Sequence, residues 1–227
     1  DPYTSEAVAA TWSSGGNLTT AAFYGAGAGT QTAGLTAGGS TAPPASSNRT
    51  AITQEYDGTS WTAGGSLVVA RYDAVSAGTQ TAAMVAAGNY NASPVVYAVT
   101  EEYNGTSWTA GNSMQTASTQ RGSAGTQTAA FGCGGRNAAD AYMADMETYD
   151  GTSWTEVNNL NTAVSNLACA GTTTAGLALG GIRSDPSLTG NTAASEEWDG
   201  TSWASGGTMS QARRELGGAG TQTAALG

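Results

Sequence analysis

The stretch Glu101-Glu102-Tyr103-Asn104-Gly105-Thr106-Ser107-Trp108, read together with Ala124-Gly125-Thr126-Gln127-Thr128-Ala129 further on, decides the fold, because both pieces return along the chain at a fixed separation. Five times a tryptophan is followed seventeen residues later, with no gap, by the glycine of an Ala-Gly-Thr step: Trp12/Gly29, Trp61/Gly78, Trp108/Gly125, Trp154/Gly171 and Trp203/Gly220. Successive tryptophans lie 49, 47, 46 and 49 residues apart, so every insertion falls between the glycine and the next tryptophan. A rigid half alternates with a variable half. A period near 47 residues is that of a β-propeller blade.

Within the rigid half, an apolar residue stands six after each tryptophan (Leu18, Leu67, Met114, Leu160, Met209) and an alanine three later (Ala21, Ala70, Ala117, Ala163, Ala212). After the Ala-Gly-Thr step comes an apolar run such as Met84-Val85-Ala86-Ala87, and then the variable stretch. Turn chemistry punctuates the repeat twice. Asp57-Gly58, Asn104-Gly105, Asp150-Gly151 and Asp199-Gly200 are Asx-Gly pairs that suit tight hairpins because both residues accept φ > 0. Thr-Gln-Thr after the glycine makes the other turn. Each repeat therefore predicts four short antiparallel strands: an innermost one ending at Ala-Gly, a second through the apolar run, a third ending at Tyr-Asp-Gly, and an outermost one starting at Trp.

The chain ends argue for a ring over an open solenoid. Residues Ser5 to Leu18 hold only a third and a fourth strand, and Glu215 to Gly227 only a first and a second. These halves are complementary, which predicts a single all-β domain over residues 1–227, a closed five-bladed β-propeller shut by pairing N- and C-terminal strands. The residues resemble the kelch repeat, in which a diglycine ends the second strand, Tyr-Asp precedes a turn and Trp follows it. Gly38-Gly39, Gly134-Gly135 and Gly180-Gly181 match the first element; Tyr56-Asp57, Tyr149-Asp150 and each repeat's Trp match the rest. Gly88-Asn89 and Trp198 depart from it. The wording Tyr-Asp-Gly-Thr-Ser-Trp-Thr with Ala-Gly-Thr-Gln-Thr-Ala also looks like kelch-like arrays in structural and fibre proteins of marine tailed phages, which implies a virion or extracellular surface location.

Composition narrows the function classes. Leu, Ile, Val and Phe total only 24 and the net charge is −10, values that read as disorder until the repeat overrides them. All seven cations are arginine, and no basic stripe offers itself to phosphates, so nucleic acid is not an expected partner. No run of eighteen apolar residues predicts membrane insertion. The first residue is Asp1, not methionine, and the expectation is a processed product or a piece of a longer chain. Cys133 and Cys169 occupy different repeats, on strands running in opposite senses, and are expected as small buried thiols.

Chemistry is sparse. The absence of histidine removes Ser-His-Asp and Cys-His catalysis and His-based metal sites, including the copper centre of galactose oxidase, a kelch-propeller enzyme. A sialidase Asp-box fails because Asp57 stands four residues before Trp61 with its glycine adjacent. Glu101-Glu102 and Glu196-Glu197 cannot converge on one ion or bond, since neighbours on a strand face opposite ways; they are expected as solvated charge on outer strands. No enzyme activity, cofactor or metal is therefore expected. Recognition is expected on the face carrying the variable loops, 40–52, 89–99, 136–146 and 182–195. Tyr90, Asn91, Tyr97, Arg136, Asn137, Asp140, Tyr142, Arg183 and Asp185 supply aromatic, amide and charged groups there. Such groups suit glycans or a cell-surface receptor, or neighbouring proteins of a larger assembly. Arg71, Arg121, Arg213 and Arg214 fall near the fourth-to-first connections and are expected to pair with the chain's acids.

Overall fold

The computed structural model describes residues 13–89, 95–183 and 190–227, and all its regular elements are β-strands. The first full repeat builds β1 (Ala26–Thr30), β2 (Ala33–Ala37), β3 (Thr53–Tyr56) and β4 (Trp61–Ala63), hydrogen-bonded in that order as one antiparallel sheet. The second builds β5 (Val75–Thr79), β6 (Ala82–Ala86), β7 (Thr100–Tyr103) and β8 (Trp108–Gly111); the third builds β9 (Gly122–Thr126), β10 (Ala129–Cys133), β11 (Met146–Tyr149) and β12 (Trp154–Val157). In the fourth repeat β13 (Val164–Ser165) precedes β14 (Ala168–Thr172) and β15 (Ala175–Leu179), then β16 (Ile182–Arg183) and β17 (Gly190–Asn191) precede β18 (Ala194–Trp198) and β19 (Trp203–Thr208). β14, β15, β18 and β19 make the fourth four-stranded sheet, while β13, β16 and β17 form a small one of their own. β20 (Ala219–Thr221) and β21 (Ala224–Leu226) close the chain as a two-stranded ladder.

Four strands per repeat is thus what the sequence predicts. The terminal half made by Glu215 to Gly227 is present as β20 and β21. Of the other half, 1–12 lies outside the described residues, and 13–18 carries no strand. Gly15 and Gly16 nevertheless lie against Tyr56 and Thr59 of the first sheet, just as Gly64 and Gly65 lie against Tyr103 and Thr106 of the second.

Both turns have a local cause. Thr79 pairs with Ala82, leaving Gln80-Thr81 as a two-residue hairpin loop, and Gly78 before it takes φ 110°. A Cβ there would overlap the carbonyl oxygen of Ala82, so glycine is required on steric grounds as well as conformational ones. The Asx-Gly turns differ from expectation. Tyr56 pairs with Trp61, which makes Asp57 to Ser60 a four-residue loop in which only Gly58 has positive φ. Asp57 acts through its side chain: Oδ1 accepts the amides of Thr59 and Ser60, each at 2.8 Å. Those amides hold its carboxyl below the usual range, as they do for Asp150 and Asp199.

The core lies between successive sheets. Leu35, Leu67, Val85 and Trp108 fill the first gap, Val75, Met84, Met114 and Trp154 the second, and Phe131, Met146, Leu160 and Trp203 the third. Trp61, Trp108, Trp154 and Trp203 each lean on the aromatic that ends the adjacent strand of the same sheet, at 5.0 Å for Tyr56–Trp61, 4.9 Å for Tyr103–Trp108, 5.0 Å for Tyr149–Trp154 and 5.4 Å for Trp198–Trp203.

Polar latches join the sheets. Gln80 Nε2 donates to the carbonyls of Gly34 and Tyr56 (3.0 and 2.7 Å), Gln127 to those of Ala83 and Tyr103 (2.9 and 2.8 Å), and Gln222 to those of Gly176 and Trp198 (3.0 and 2.8 Å). The Tyr103 hydroxyl donates to Glu55 and the Tyr149 hydroxyl to Glu102. Burial and the Glu55 hydrogen bond push the Tyr103 phenol up to about 12.

The reading of the Glu-Glu pairs as solvated charge is corrected in half. Glu101 and Glu196 are buried, at 2% and 6% exposure, while Glu197 is exposed. The buried member caps the fourth-to-first connection: Glu101 accepts the amides of Val68 and Val69, Glu147 those of Gln115 and Thr116, and Glu196 that of Asn161. Such connections turn inward and leave amides with no ladder partner, which a carboxylate satisfies strongly. Of the four arginines expected to pair with acids, Arg71 pairs with Glu101 in full burial, Arg121 faces Glu147 at 3.6 Å and Arg214 lies 3.6 Å from Glu215, whereas Arg213 donates to Gln211 instead. Cys133 and Cys169 are free, buried thiols whose sulfurs lie 3.4 Å apart across the gap between the third and fourth sheets.

Candidate functional site

The inner strands β1, β5, β9, β14 and β20 line a single cavity of about 630 Å³. Its wall is almost wholly Gly, Ala and Ser, so backbone faces the space and few side chains project into it. Serine hydroxyls stitch neighbouring inner strands together: Ser76 donates to the Gly27 carbonyl at 2.7 Å and Ser123 to that of Ser76 at 2.9 Å. A wall of this kind offers shape but little chemistry.

Chemistry appears at the end that carries the variable loops and the fourth-to-first connections. Bridges Phe23–Ser40, Tyr72–Asn89 and Thr119–Arg136 tie each connection to the loop beside it. There a second cavity of about 630 Å³ is lined by Tyr24, Asp73, Gln120, Asn166 and Glu215 with the aromatics Phe23 and Tyr72. The five polar residues stand five positions before each Ala-Gly-Thr glycine, and all share one left-handed backbone conformation, φ 58°, 54°, 57°, 56° and 56° in that order. Backbone bonds run head to tail through them. Asp73 N donates to Tyr24 O (3.0 Å), Gln120 N to Asp73 O (3.2 Å), Asn166 N to Gln120 O (2.9 Å) and Glu215 N to Asn166 O (3.0 Å).

Left-handed backbone costs about 1–2 kcal/mol for most L-residues, less for Asn and Asp, and nothing of that kind for Gly. The positions nevertheless hold Tyr, Asp, Gln, Asn and Glu. Asn166 Nδ2 donates to Glu215 at 3.2 Å, while its buried Oδ1 has no partner. Burial raises the Asp73 carboxyl to about 6; hydrogen bonds from Gln120 and Asn89 oppose the shift and the charge of Glu215 adds to it. Phe23, Tyr24 and Tyr72 gather on one side, with ring centroids 5.0 and 6.5 Å apart, and Phe23 and Tyr24 are exposed. The mouth is thus aromatic on one side and rich in amides and carboxylates on the other.

The residues expected from the sequence sit around this mouth without lining it. Arg136, Asn137, Asp140 and Tyr142 come together in one loop. The Arg136 guanidinium lies 4.2 Å from the Tyr142 ring centroid and donates to the Tyr142 hydroxyl (2.6 Å) and to Asp140 (2.8 Å). Asn137 Oδ1 accepts the amides of Ala139 and Ala141, fixing the bend. Tyr97 belongs to the neighbouring loop, its ring centroid 5.7 Å from the Arg71 guanidinium, and Arg183 lies on β16 with its Nε buried. Tyr90, Asn91 and Asp185 lie outside the described residues. This series of five residues escaped the sequence reading. Its signal was a slot at constant spacing inside the rigid half, occupied by five different hydrogen-bonding residues.

Compared with known proteins, the chain matches no family model and no curated protein significantly.

Proposed function

We propose that the chain is a closed five-bladed kelch-like β-propeller acting as a non-enzymatic recognition module of a virion or extracellular fibre, present in many copies. Its ligand is a glycan or a glycan-bearing cell-surface receptor, met at the mouth ringed by Tyr24, Asp73, Gln120, Asn166 and Glu215. Tyr97, Arg136, Asn137, Tyr142 and Arg183 form the outer rim of the same face. What supports closure is that five inner strands share one cavity and that β20 and β21 pack beyond the fourth sheet as the first half of a further blade. The segment 13–22 meets the first sheet from the other side, as the matching outer segments meet theirs.

The observation that carries the functional reading is identical backbone geometry bearing five different polar side chains. An architectural ring would be served more stably by glycine at those φ values, so side chains kept against that cost point to recognition. Aromatic faces beside amides and carboxylates are what a sugar ring requires, with one apolar face to stack and hydroxyls to bond.

The test displays the protein in many copies on beads, so that weak sites act together, and screens it against a broad glycan array. Selective binding is expected, with loss on Tyr24→Gly, a change that relaxes the backbone and should leave the protein at least as stable. Silence across the array would point to an architectural module held by neighbouring proteins. Binding unchanged by Tyr24→Gly and by Gln120→Ala, but lost on exchanging loop 136–146, would move the site to the rim.

A further inference from the structure

The seam between the third and fourth sheets breaks the rule that the other seams follow. Where Gln80, Gln127 and Gln222 reach back to the preceding sheet, the fourth repeat has Thr173. Where Glu55 and Glu102 receive a tyrosine hydroxyl from the next sheet, the third repeat has Thr148, and the tyrosine opposite is replaced by Trp198. Trp108 and Trp154 donate Nε1 to Thr53 and Thr100 at 2.9 and 2.8 Å, whereas Trp203 has only the Met146 sulfur at 3.2 Å. Both polar latches are therefore gone from one seam together, and its interior is held by Phe131, Met146, Trp203 and the thiol pair.

Their removal leaves space. A groove of about 340 Å³ opens at this seam, on the turn side and so at the opposite end from the variable loops, lined among others by Thr148, Tyr149, Asp150, Thr173 and Trp198. Thr148, Thr173 and Trp198 are the three positions where the repeat departs. In each intact seam the glutamine amide bonds both carbonyls of one cross-strand pair: Gly34 with Tyr56, Ala83 with Tyr103, and Gly176 with Trp198. In the third sheet the matching pair is Ala130 with Tyr149, of which Tyr149 lines the groove together with Ala129, the neighbour of Ala130. Among the described residues no side chain donates to either carbonyl. The Trp198 indole cannot substitute, because its Nε1 is already given to the Thr173 carbonyl at 2.9 Å.

We infer that this groove is a binding site for a primary carboxamide, supplied by a glutamine or asparagine side chain of a partner polypeptide, whose NH2 group donates to the carbonyls of Ala130 and Tyr149. The repeat itself specifies the ligand, since three other seams hold that group on the same pair of acceptors. The groove exceeds one side chain in volume, which leaves room for the partner backbone that carries it. Its outer wall of threonines with Asp150 is suited to bonding that backbone.

The experiment titrates the full chain with N-acetylglutamine methylamide and follows backbone amide shifts, with the glutamate counterpart as control. Millimolar binding, on the order of 1–10 mM, is expected for so small a probe. Shifts should centre on Thr173, Tyr149 and Thr128, and the glutamate probe should give none at neutral pH. Thr173→Gln restores the internal latch, so it should raise the melting temperature and weaken probe binding at least about tenfold, some 1.4 kcal/mol. Conversely, Gln127→Thr vacates the carbonyls of Ala83 and Tyr103 and should create a second responsive position there. Equal response to both probes, or probe binding unaffected by Thr173→Gln in a folded protein, would overturn the assignment. Neither result bears on the mouth at the other end.

Discussion

Replacing Asp73 by Asn tests whether the mouth carries destabilising charge. Asp73 is half-buried, and desolvation raises its carboxyl from 3.8 to about 6. The sign follows from proton binding: the folded state holds this proton more tightly than the unfolded chain does, so the contribution of Asp73 to stability is greatest below about pH 4 and is lost as pH rises through about 6. The difference between 3.8 and about 6 corresponds to about 3 kcal/mol at neutral pH. Asn keeps the shape and tolerates the left-handed backbone as Asp does, but accepts the Gln120 and Asn89 hydrogen bonds less strongly. A net gain of about 2 kcal/mol at pH 7.5 remains, which raises the melting temperature by roughly 4–8 °C for a protein of this size. At pH 4 the gain should vanish. Calorimetric melts of both proteins at pH 4, 6 and 7.5 read this directly. A variant no more stable than wild type at pH 7.5, or one equally stabilised at pH 4, would refute the argument that burial sets the state of this carboxyl.

Glu101→Ala should destabilise by about 3–5 kcal/mol in urea denaturation, because Arg71 is left charged and buried and the Val68 and Val69 amides lose their acceptor. Glu101→Gln should recover part of that loss, since Gln54 already fills the matching slot for the Thr20 amide in the first sheet. Gly78→Ala should cost more than about 2 kcal/mol, through strain at φ 110° and overlap with the Ala82 carbonyl, whereas Gly207→Ala, with open space around it, should be tolerated. In a closed ring the Tyr24 amide is bonded by the Glu215 carbonyl, so its hydrogen exchange should be as slow as that of Asp73, Gln120 and Asn166; fast exchange confined to Tyr24 marks an open array. Removing residues 1–18 should abolish the cooperative melt, and a native-like melt without them would sink closure.

The strand framework was legible because its determinants are local and repeated. The Ala-Gly-Thr glycine has a steric reason to be glycine, Trp61, Trp108, Trp154 and Trp203 each have an aromatic opposite, and the Asx residue of each described outer turn bonds amides two and three residues away. What was not legible depends on partners far along the chain. Glu101 and Glu102 look alike in sequence, yet one is buried under a connection more than thirty residues earlier and the other meets the Tyr149 hydroxyl of the next sheet. Alternation placed them on opposite faces and left open what each face meets. The variable loops drew attention through their length, but Arg136 and Tyr142 spend much of their bonding capacity on each other, and Asn137 spends its own on the bend.

Repetition therefore has two meanings in this chain. Where a slot repeats in kind, as with the glutamine, the capping glutamate and the tryptophan, the residue holds one sheet to the next. Where spacing is kept and identity is not, the backbone is already secured by its neighbours and the side chain is free to serve something else. Tyr24, Asp73, Gln120, Asn166 and Glu215 meet that condition, their amides or carbonyls being joined in one series while their side chains differ in size, charge and aromaticity. Thr148, Thr173 and Trp198 meet it at one seam alone, where Phe131, Met146 and Trp203 pack between the sheets. At both places the proposed ligand would make bonds that the fold itself leaves unmade.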